Sequence, residues 1–433
     1  MFTNFIYDTD VNSRLVVWKS PGDSYNKWDI TKRLKDLNIS AEIKTIGVDD
    51  DTIEPEHYNL IVVDVVTENN PENFKKLSEV LRSDFVQNNI WIDILFWMPT
   101  EVHTKSWHYS FFREQNVFLR AVPNHQCYMV TGDINGNINY LSYIESLPEE
   151  RQNKLKKFEE IYNINYFEGD YRDIWFPSIN EEKDIDFICL MRRKRPYRAA
   201  LLTKLFSIGV VKDNAVSFLD NWEGTPGLEK DRDYHNARQY LMSQELGETD
   251  TLQEIIYSDS INYVRKIDID YDSEAPNSSQ FKLAGFPLPN KFMRRAYFGL
   301  VSETLVEELF ITEKTYNTIM MGLPFIIWSC PGILKQLKRQ GYKTFDGIMF
   351  DESYDNEESD SIRLHMITTE VKKFCNHPKD IKEKLFQKAK PIIEHNRMLL
   401  LKNQNNYRED FIVMINDMMK KRRFITQPEY APR

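Results

Sequence analysis

Thr312, Glu313 and Lys314 stand together in FITEKTYNTIMMG, at the point where an apolar run gives way to helical spacing. A carboxylate so placed can accept two ribose hydroxyls, and a neighbouring ammonium can reach a diphosphate. Ser302, Glu303 and Thr304 close the strand-like run YFGLVSET at 297–304, a few residues upstream. Together these residues describe a site for a nucleoside diphosphate. They equally describe an ordinary capped helix, with Thr312 as N-cap and Glu313 supporting the macrodipole. A second set lies in MRRKRPYR, where Arg192, Arg193, Lys194, Arg195 and Arg198 sit between a strand and a helix. Guanidinium forks at a helix start suit phosphate oxygens, whereas a charge run is more often a solvated turn. The segment lacks the glycines of a Walker loop or a GxGxxG fingerprint.

Several acidic residues fall where strands should stop: Asp64 after LIVV, Glu101 after ILFWMPT, and Asp133 after YMVTG. In open α/β sheets the ligand crevice lies at such carboxyl ends. The acidic runs VDDD at 48–51 and DIDYD at 268–272 carry DxD-like spacing, but Asp-rich loops are common and a metal role is not expected of them. The eight histidines are scattered, with no HExxH or paired arrangement for zinc. His103 and His108 near Trp107 could line a cleft or be satisfied surface residues.

Those residues must be positioned by elements that alternate in kind. Apolar runs at 14–18, 41–48, 59–66, 90–98 and 126–132 are separated by amphipathic stretches such as DITKRLKDLN and PENFKKLSEVLRSDFVQ. This alternation predicts an α/β layer around a mostly parallel sheet. The charged stretch EERQNKLKKFEEIYN at 149–163 reads as one helix and is followed by an aromatic, acidic segment where a domain boundary is expected. A second α/β series begins with DFICLMRRKRPYRAALLTKLF and continues through YFGLVSET, the helix ITEKTYNTIMMG, the buried strand LPFIIW and the helix PGILKQLKRQG. Region 225–290 reads as long loops or an insertion. From about 360 onward the chain reads as helical, with a kink expected at Pro391 and a basic finish at KKRR, 420–423.

With 433 residues, 41% of them hydrophobic and 13% aromatic, the chain can bury sizeable cores and is too apolar for a disordered scaffold. A net charge of −10 gives no global attraction to phosphate backbones or anionic lipid, so nucleic-acid contact would need local basic clusters. Lys291, Arg294 and Arg295, and a helix bearing Lys335, Lys338 and Arg339, are the candidates. Cys127, Cys189, Cys330 and Cys375 form no CxxC pair and read as buried thiols of a reducing compartment. No long apolar window or basic leader is evident, so a cytoplasmic protein without a membrane span is expected.

FITEKTYNTIMMGLPFIIW resembles the nucleotide-sugar motif of fucosyltransferase-like GT-B enzymes. More closely, FICLMRRKRPYRAALL, LVSET, FITEKTYNTIMMGLPFI, PGILKQLKRQGYKTFD and FDESYD, in that order over roughly 185–360, resemble glycosyltransferase-like proteins often encoded by tailed bacteriophages. The resemblance implies two Rossmann-like domains facing a cleft: an acceptor domain at 1–180, a donor domain at 181–360, and helices at 361–433 packing across both. It implies transfer of a sugar from a nucleotide-diphosphate donor to an acceptor hydroxyl, without a metal or cofactor, in a host cytoplasm if phage-encoded. Glu313 would take the ribose, Lys314 the diphosphate, and Arg195 or a neighbour (Arg192, Arg193, Arg198) would reach phosphate. Ser302-Glu303-Thr304 departs from the Asn-containing pair common in the family, which leaves the base or sugar open. Glu101 is the favoured general base, with Asp64 and Asp133 as alternatives. The acceptor would be a hydroxymethylated base of phage DNA, entering past Trp97, Trp107 and Tyr109, or else a glycan or protein. A transferase fold that only binds is the remaining alternative.

Overall fold

The computed structural model describes residues 15–19, 34, 40–46, 58–64, 78–89, 92–98, 118–131, 136–163, 175–191, 195–218, 228–243 and 291–423. The chain divides into two compact units, Met1–Gly169 with Gln404–Arg433, and Asp170–Asn403.

The first unit is built on β1 (Leu15–Lys19), β2 (Glu42–Thr45), β3 (Tyr58–Asp64), the short helix α1 (Asp84–Asn88), β4 (Asp93–Met98), β5 (Cys127–Thr131), helices α2 (Gly136–Glu145) and α3 (Glu149–Lys154), and β6 (Glu160–Asn163). Its strands form one parallel sheet in the order β2-β1-β3-β4-β5-β6. Alternate residues explain why the inner strands read as unbroken apolar runs. Val16, Trp18, Ile61, Val63, Ile94, Phe96, Cys127 and Met129 face one core with Leu81, Val86, Phe118 and Ile144. Val17, Leu60, Val62, Leu95, Trp97 and Val130 are buried as well. A parallel sheet covered on both faces has no polar face to show.

The second unit holds β7 (Ile185–Met191), α4 (Pro196–Ser207), β8 (Ala215–Phe218), α5 (Leu228–Ser243), β9 (Ala296–Ser302), α6 (Glu313–Met320), β10 (Phe325–Trp328), α7 (Ile333–Arg339), α8 (Asp360–Cys375) and the long helix α9 (Lys379–Arg423), which passes into the first unit at Gln404. Its four-stranded sheet, β10-β9-β7-β8, is also parallel. Relative to its own first strand this is the order 2-1-3-4, the same as the first four strands of the other sheet. The α/β class and the parallel sheets expected from the alternation are therefore present in both units. In such sheets the order reverses between the first and third strands, which places the second unit's switch point between β7 and β9.

The helix α6 lies so close to β9 that a Cβ on Gly299 would stand 2.7 Å from Thr318 Cγ2, a separation real side chains do not adopt. At its far end Gly322, with φ of +74°, closes the helix: its N–H donates to Ile319 O (3.0 Å) and that of Leu323 to Thr318 O (3.1 Å). That pair of bonds satisfies carbonyls the helix would leave orphaned, and the positive φ favours glycine.

Three expectations are corrected. The charged stretch 149–163 is not one helix: α3 stops at Lys154, Leu155 turns extended, and Glu160–Asn163 joins β5 as the edge strand β6. An edge strand of four residues with charged neighbours carries no apolar run, so its helix-like composition misled. Within 225–290, residues 228–243 form the helix α5, which packs on α4; the rest of that region lies outside the described residues. Finally, Trp97 lines no entrance. It is fully buried in the first unit, its ring 5.7 Å from that of Phe411. Pro391 lies inside α9. Cys127, Cys189 and Cys330 are buried and Cys375 half-buried, all as free thiols, and burial pushes Cys127, Cys330 and Cys375 up to about 12. Among the described residues no helix is long and apolar enough to cross a membrane.

Candidate functional site

The carboxyl end of β9 delivers Ser302, Glu303 and Thr304 to the switch point, and α6 begins beside them. Glu303 is fully buried. Its Oε1 accepts from the Thr312 backbone N–H (3.0 Å) and from Thr315 Oγ1 (2.6 Å). Its Oε2 accepts from Thr312 Oγ1 and from the Thr304 N–H (3.3 Å). A helix N-terminus attracts an anion through unpaired N–H groups and the macrodipole; here the chain's own carboxylate fills that role. Glu303 thus faces inward as a clamp between strand and helix.

Thr312 is the N-cap of α6, its Oγ1 accepting from the Lys314 N–H (3.4 Å). The Lys314 ammonium folds back over this cap and donates to Thr304 Oγ1 (3.0 Å), Thr312 Oγ1 (3.0 Å) and Glu313 Oε1 (2.8 Å). Burial alone would raise the Glu313 carboxyl, but the Lys314 charge and hydrogen bond hold it below the usual carboxylate range. Glu313 and Lys314 keep 29% and 24% of their side-chain surface in solvent, so both can meet a ligand without unfolding the cap.

The basic turn reaches the same edge from α4. Arg195 is the residue preceding that helix and is half-buried. Arg198 is buried, with Nη2 donating to Ser302 O (3.3 Å) and Glu303 O (3.1 Å). The Tyr197 hydroxyl donates to Thr304 O, and burial raises its pKa so that it stays a donor. Trp328 Nε1 in turn donates to Tyr197 O (3.2 Å). Ser302 Oγ is buried without a hydrogen-bond partner. Arg195, Arg198, Ser302, Glu303, Thr304, Thr312, Glu313 and Lys314, separated widely in sequence, therefore meet at one edge of one sheet. Arg192 and Arg193 lie outside the described residues, as does Lys194.

The candidates for a base are less fully placed. Asp64 ends β3 at the carboxyl edge of the first sheet, in register with Trp97. Glu101, Asp133, His103, His108, Trp107 and Tyr109 lie outside the described residues, as do the acidic loops 48–51 and 268–272. Among the described residues no cluster of His, Cys, Asp or Glu could hold a metal ion.

Sequence reasoning overlooked what the remaining charged residues of the FDESYD motif do. Asp355 caps α7, accepting from the N–H groups of Leu334 (2.9 Å) and Lys335 (3.0 Å). Glu352 is buried and accepts from Thr344 Oγ1 (2.5 Å) and the Phe345 N–H (2.7 Å). Both hold the scaffold behind β10. The motif's dense Asp and Glu content beside buried aromatics was the available signal. Arg294 and Arg295, offered as phosphate contacts, are ion-paired with Glu181 (3.1 Å) and Asp184.

No protein-family profile matches the chain, and no curated protein matches it. A crystal structure of α,α-trehalose 6-phosphate synthase from Burkholderia multivorans aligns over 97% of this chain and 99% of that one, at 10% identity and a TM-score of 0.41.

Proposed function

We propose that this chain is a GT-B-type glycosyltransferase that moves a sugar from a nucleoside-diphosphate donor to an acceptor hydroxyl. The observation that carries the reading is the Lys314 ammonium, fixed by Thr304, Thr312 and Glu313 at the carboxyl edge beside the switch point. A positive group preorganised there offsets the charge that develops on the departing diphosphate. The acceptor oxygen attacks the anomeric carbon, the bond from that carbon to the diphosphate oxygen breaks, and a base takes the acceptor proton. Glu313 is assigned the ribose hydroxyls and Arg195 a phosphate oxygen. Glu101, Asp64 and Asp133 remain the bases to test.

Glu303 and Arg198 support the site from inside rather than touching the donor, because their polar atoms engage Thr312, Thr315 and the ends of β9. For the acceptor, a glycan or protein hydroxyl suits the chain better than a hydroxymethylated base in phage DNA. Two of the three basic residues at 291–295 are already ion-paired, and on α7 Lys338 pairs with Glu352 (3.4 Å), which reduces the local charge available to offset the net −10.

Calorimetric titration with a panel of nucleoside diphosphates tests the donor site, followed by mass spectrometry of acceptors incubated with the corresponding sugars. Saturable binding with a glycosylated glycan or protein supports the reading. Binding without turnover on any acceptor would reduce the chain to a binding protein, and no binding to any nucleotide would overturn the donor site.

A further inference from the structure

The amino edge of the second sheet, opposite the Lys314 site, collects positive charge around a buried arginine. Arg397, on α9, is 7% exposed. Its guanidinium lies 5.3 Å from the Phe176 ring and against Gly322, where a Cβ would stand 2.4 Å from Nη2 and 2.6 Å from Ile179 Cγ2. The missing side chain at Gly322 is what admits the guanidinium. Nε and Nη2 have no hydrogen-bond partner. In arginine these two N–H groups project along one edge of the plane, the edge that meets two oxygens of one oxyanion together.

Further cations lie nearby, and among the described residues Arg397 forms no ion pair. Lys183, just before β7, is buried and donates to Arg294 O (2.5 Å). Burial pushes its ammonium down to about 8; Glu181 opposes this, while Arg397, Lys390 and Arg294 add to it. Glu181 is itself engaged by Arg294, and Lys390 donates to Asn180 Oδ1 (2.6 Å). Burial likewise lowers Arg397 to about 10, with Glu394 acting against it. An uncompensated buried charge is destabilising, whereas an anion that satisfies it binds strongly. Phe176 and Ile179 belong to the stretch 175–184, which forms neither helix nor strand and so can shift without breaking a ladder.

We propose that the Nε/Nη2 edge of Arg397 is an anion site that takes inorganic phosphate or a phosphate monoester in two-point fashion, with 175–180 yielding to admit it. It is separate from the donor site and stands or falls independently of the glycosyltransferase reading.

The test is thermal unfolding of the full chain against inorganic phosphate, with acetate and chloride at matched ionic strength. Phosphate should raise the native Tm saturably above chloride, by about 5 °C near 100 Kd. Arg397→Met should lose that increment while the exposed-surface variant Lys384→Ala keeps it. An equal response in Arg397→Met, a response to acetate but not phosphate, or none above chloride would overturn the proposal. Should Arg397→Met not fold, crystals of the native chain grown with selenate decide the matter. Anomalous selenium within hydrogen-bond distance of Nε and Nη2 supports the site, and selenium only elsewhere refutes it.

Discussion

The two edges of the second sheet treat charge in opposite ways. At the carboxyl edge Glu303 takes four donors, and Lys314 three acceptors, all from the chain itself. At the amino edge Arg397 keeps two nitrogens unpaired, and Lys183 lies among other cations. A satisfied network gives a rigid platform whose partly exposed groups, Lys314 and Glu313, are offered to a ligand in a fixed orientation. An unsatisfied one stores a demand that only an added anion can meet. Charge alone therefore does not distinguish the two edges; charge already held in place does.

The sharpest way to break this contrast is to remove the clamp. Glu303→Ala leaves three buried donors on Thr312 and Thr315 unmatched, so stability should fall by about 3–5 kcal/mol in urea unfolding. A variant with native stability that has lost nucleotide affinity would instead make Glu303 a ligand contact. Lys314→Ala comes next: nucleoside-diphosphate affinity should drop roughly ten- to a hundred-fold by calorimetry, with stability changed by no more than about 1 kcal/mol. Unchanged affinity would remove the platform its function.

A smaller effect sharpens the amino edge. Because the folded pKa of Lys183 is lowered from 10.5 to about 8, the folded state has shed this proton between those values while the unfolded chain still holds it. The unfolded state then binds more protons, so stability rises with pH across that window. Native protein should gain stability relative to Lys183→Met between about pH 8 and 10. A difference that is flat or falls over this range would show that the ammonium is compensated after all. The smallest change is expected from EDTA, which should leave transfer activity intact under the proposal that Lys314 and the basic turn serve the diphosphate. Activity abolished by EDTA and restored by manganese would return attention to the acidic runs at 48–51 and 268–272.

Much of the scaffold could be read in advance, for a reason visible in its strands. The runs that became β3, β5, β7, β9 and β10 are buried on both faces, so their apolar character survives in the sequence. β6 (EIYN) and β8 (AVSF) carry polar residues within four positions, so neither shows the unbroken apolar run that marks the equally short edge strand β10 (FIIW). α5 hid because DRDYHNARQ carries little apolar spacing. Residue types also pointed to the cap of α6, since Thr312, Glu313 and Lys314 carry the cap and a partly exposed charge pair together. Direction could not be read: a carboxylate after a strand looks the same whether it turns outward or, like Glu303, inward. Arg397 was invisible, because one arginine in a long polar helix reads as solvated until Gly322 and Phe176 are brought against it.

The long helix α9 has a consequence for how the protein is made. Its last turns complete the first unit: Phe411 meets Trp97, Asp417 accepts from the Tyr162 hydroxyl (2.6 Å), and Lys421 pairs with Glu160 (3.0 Å). Residues up to 169 must therefore wait for those from 404 onward, while all of the second unit is synthesised in between. At about 5–20 residues per second that interval lasts tens of seconds. During it Trp97 lacks Phe411, and Tyr162 and Glu160 lack their partners on α9, so the first unit waits on the ribosome with those contacts unmade.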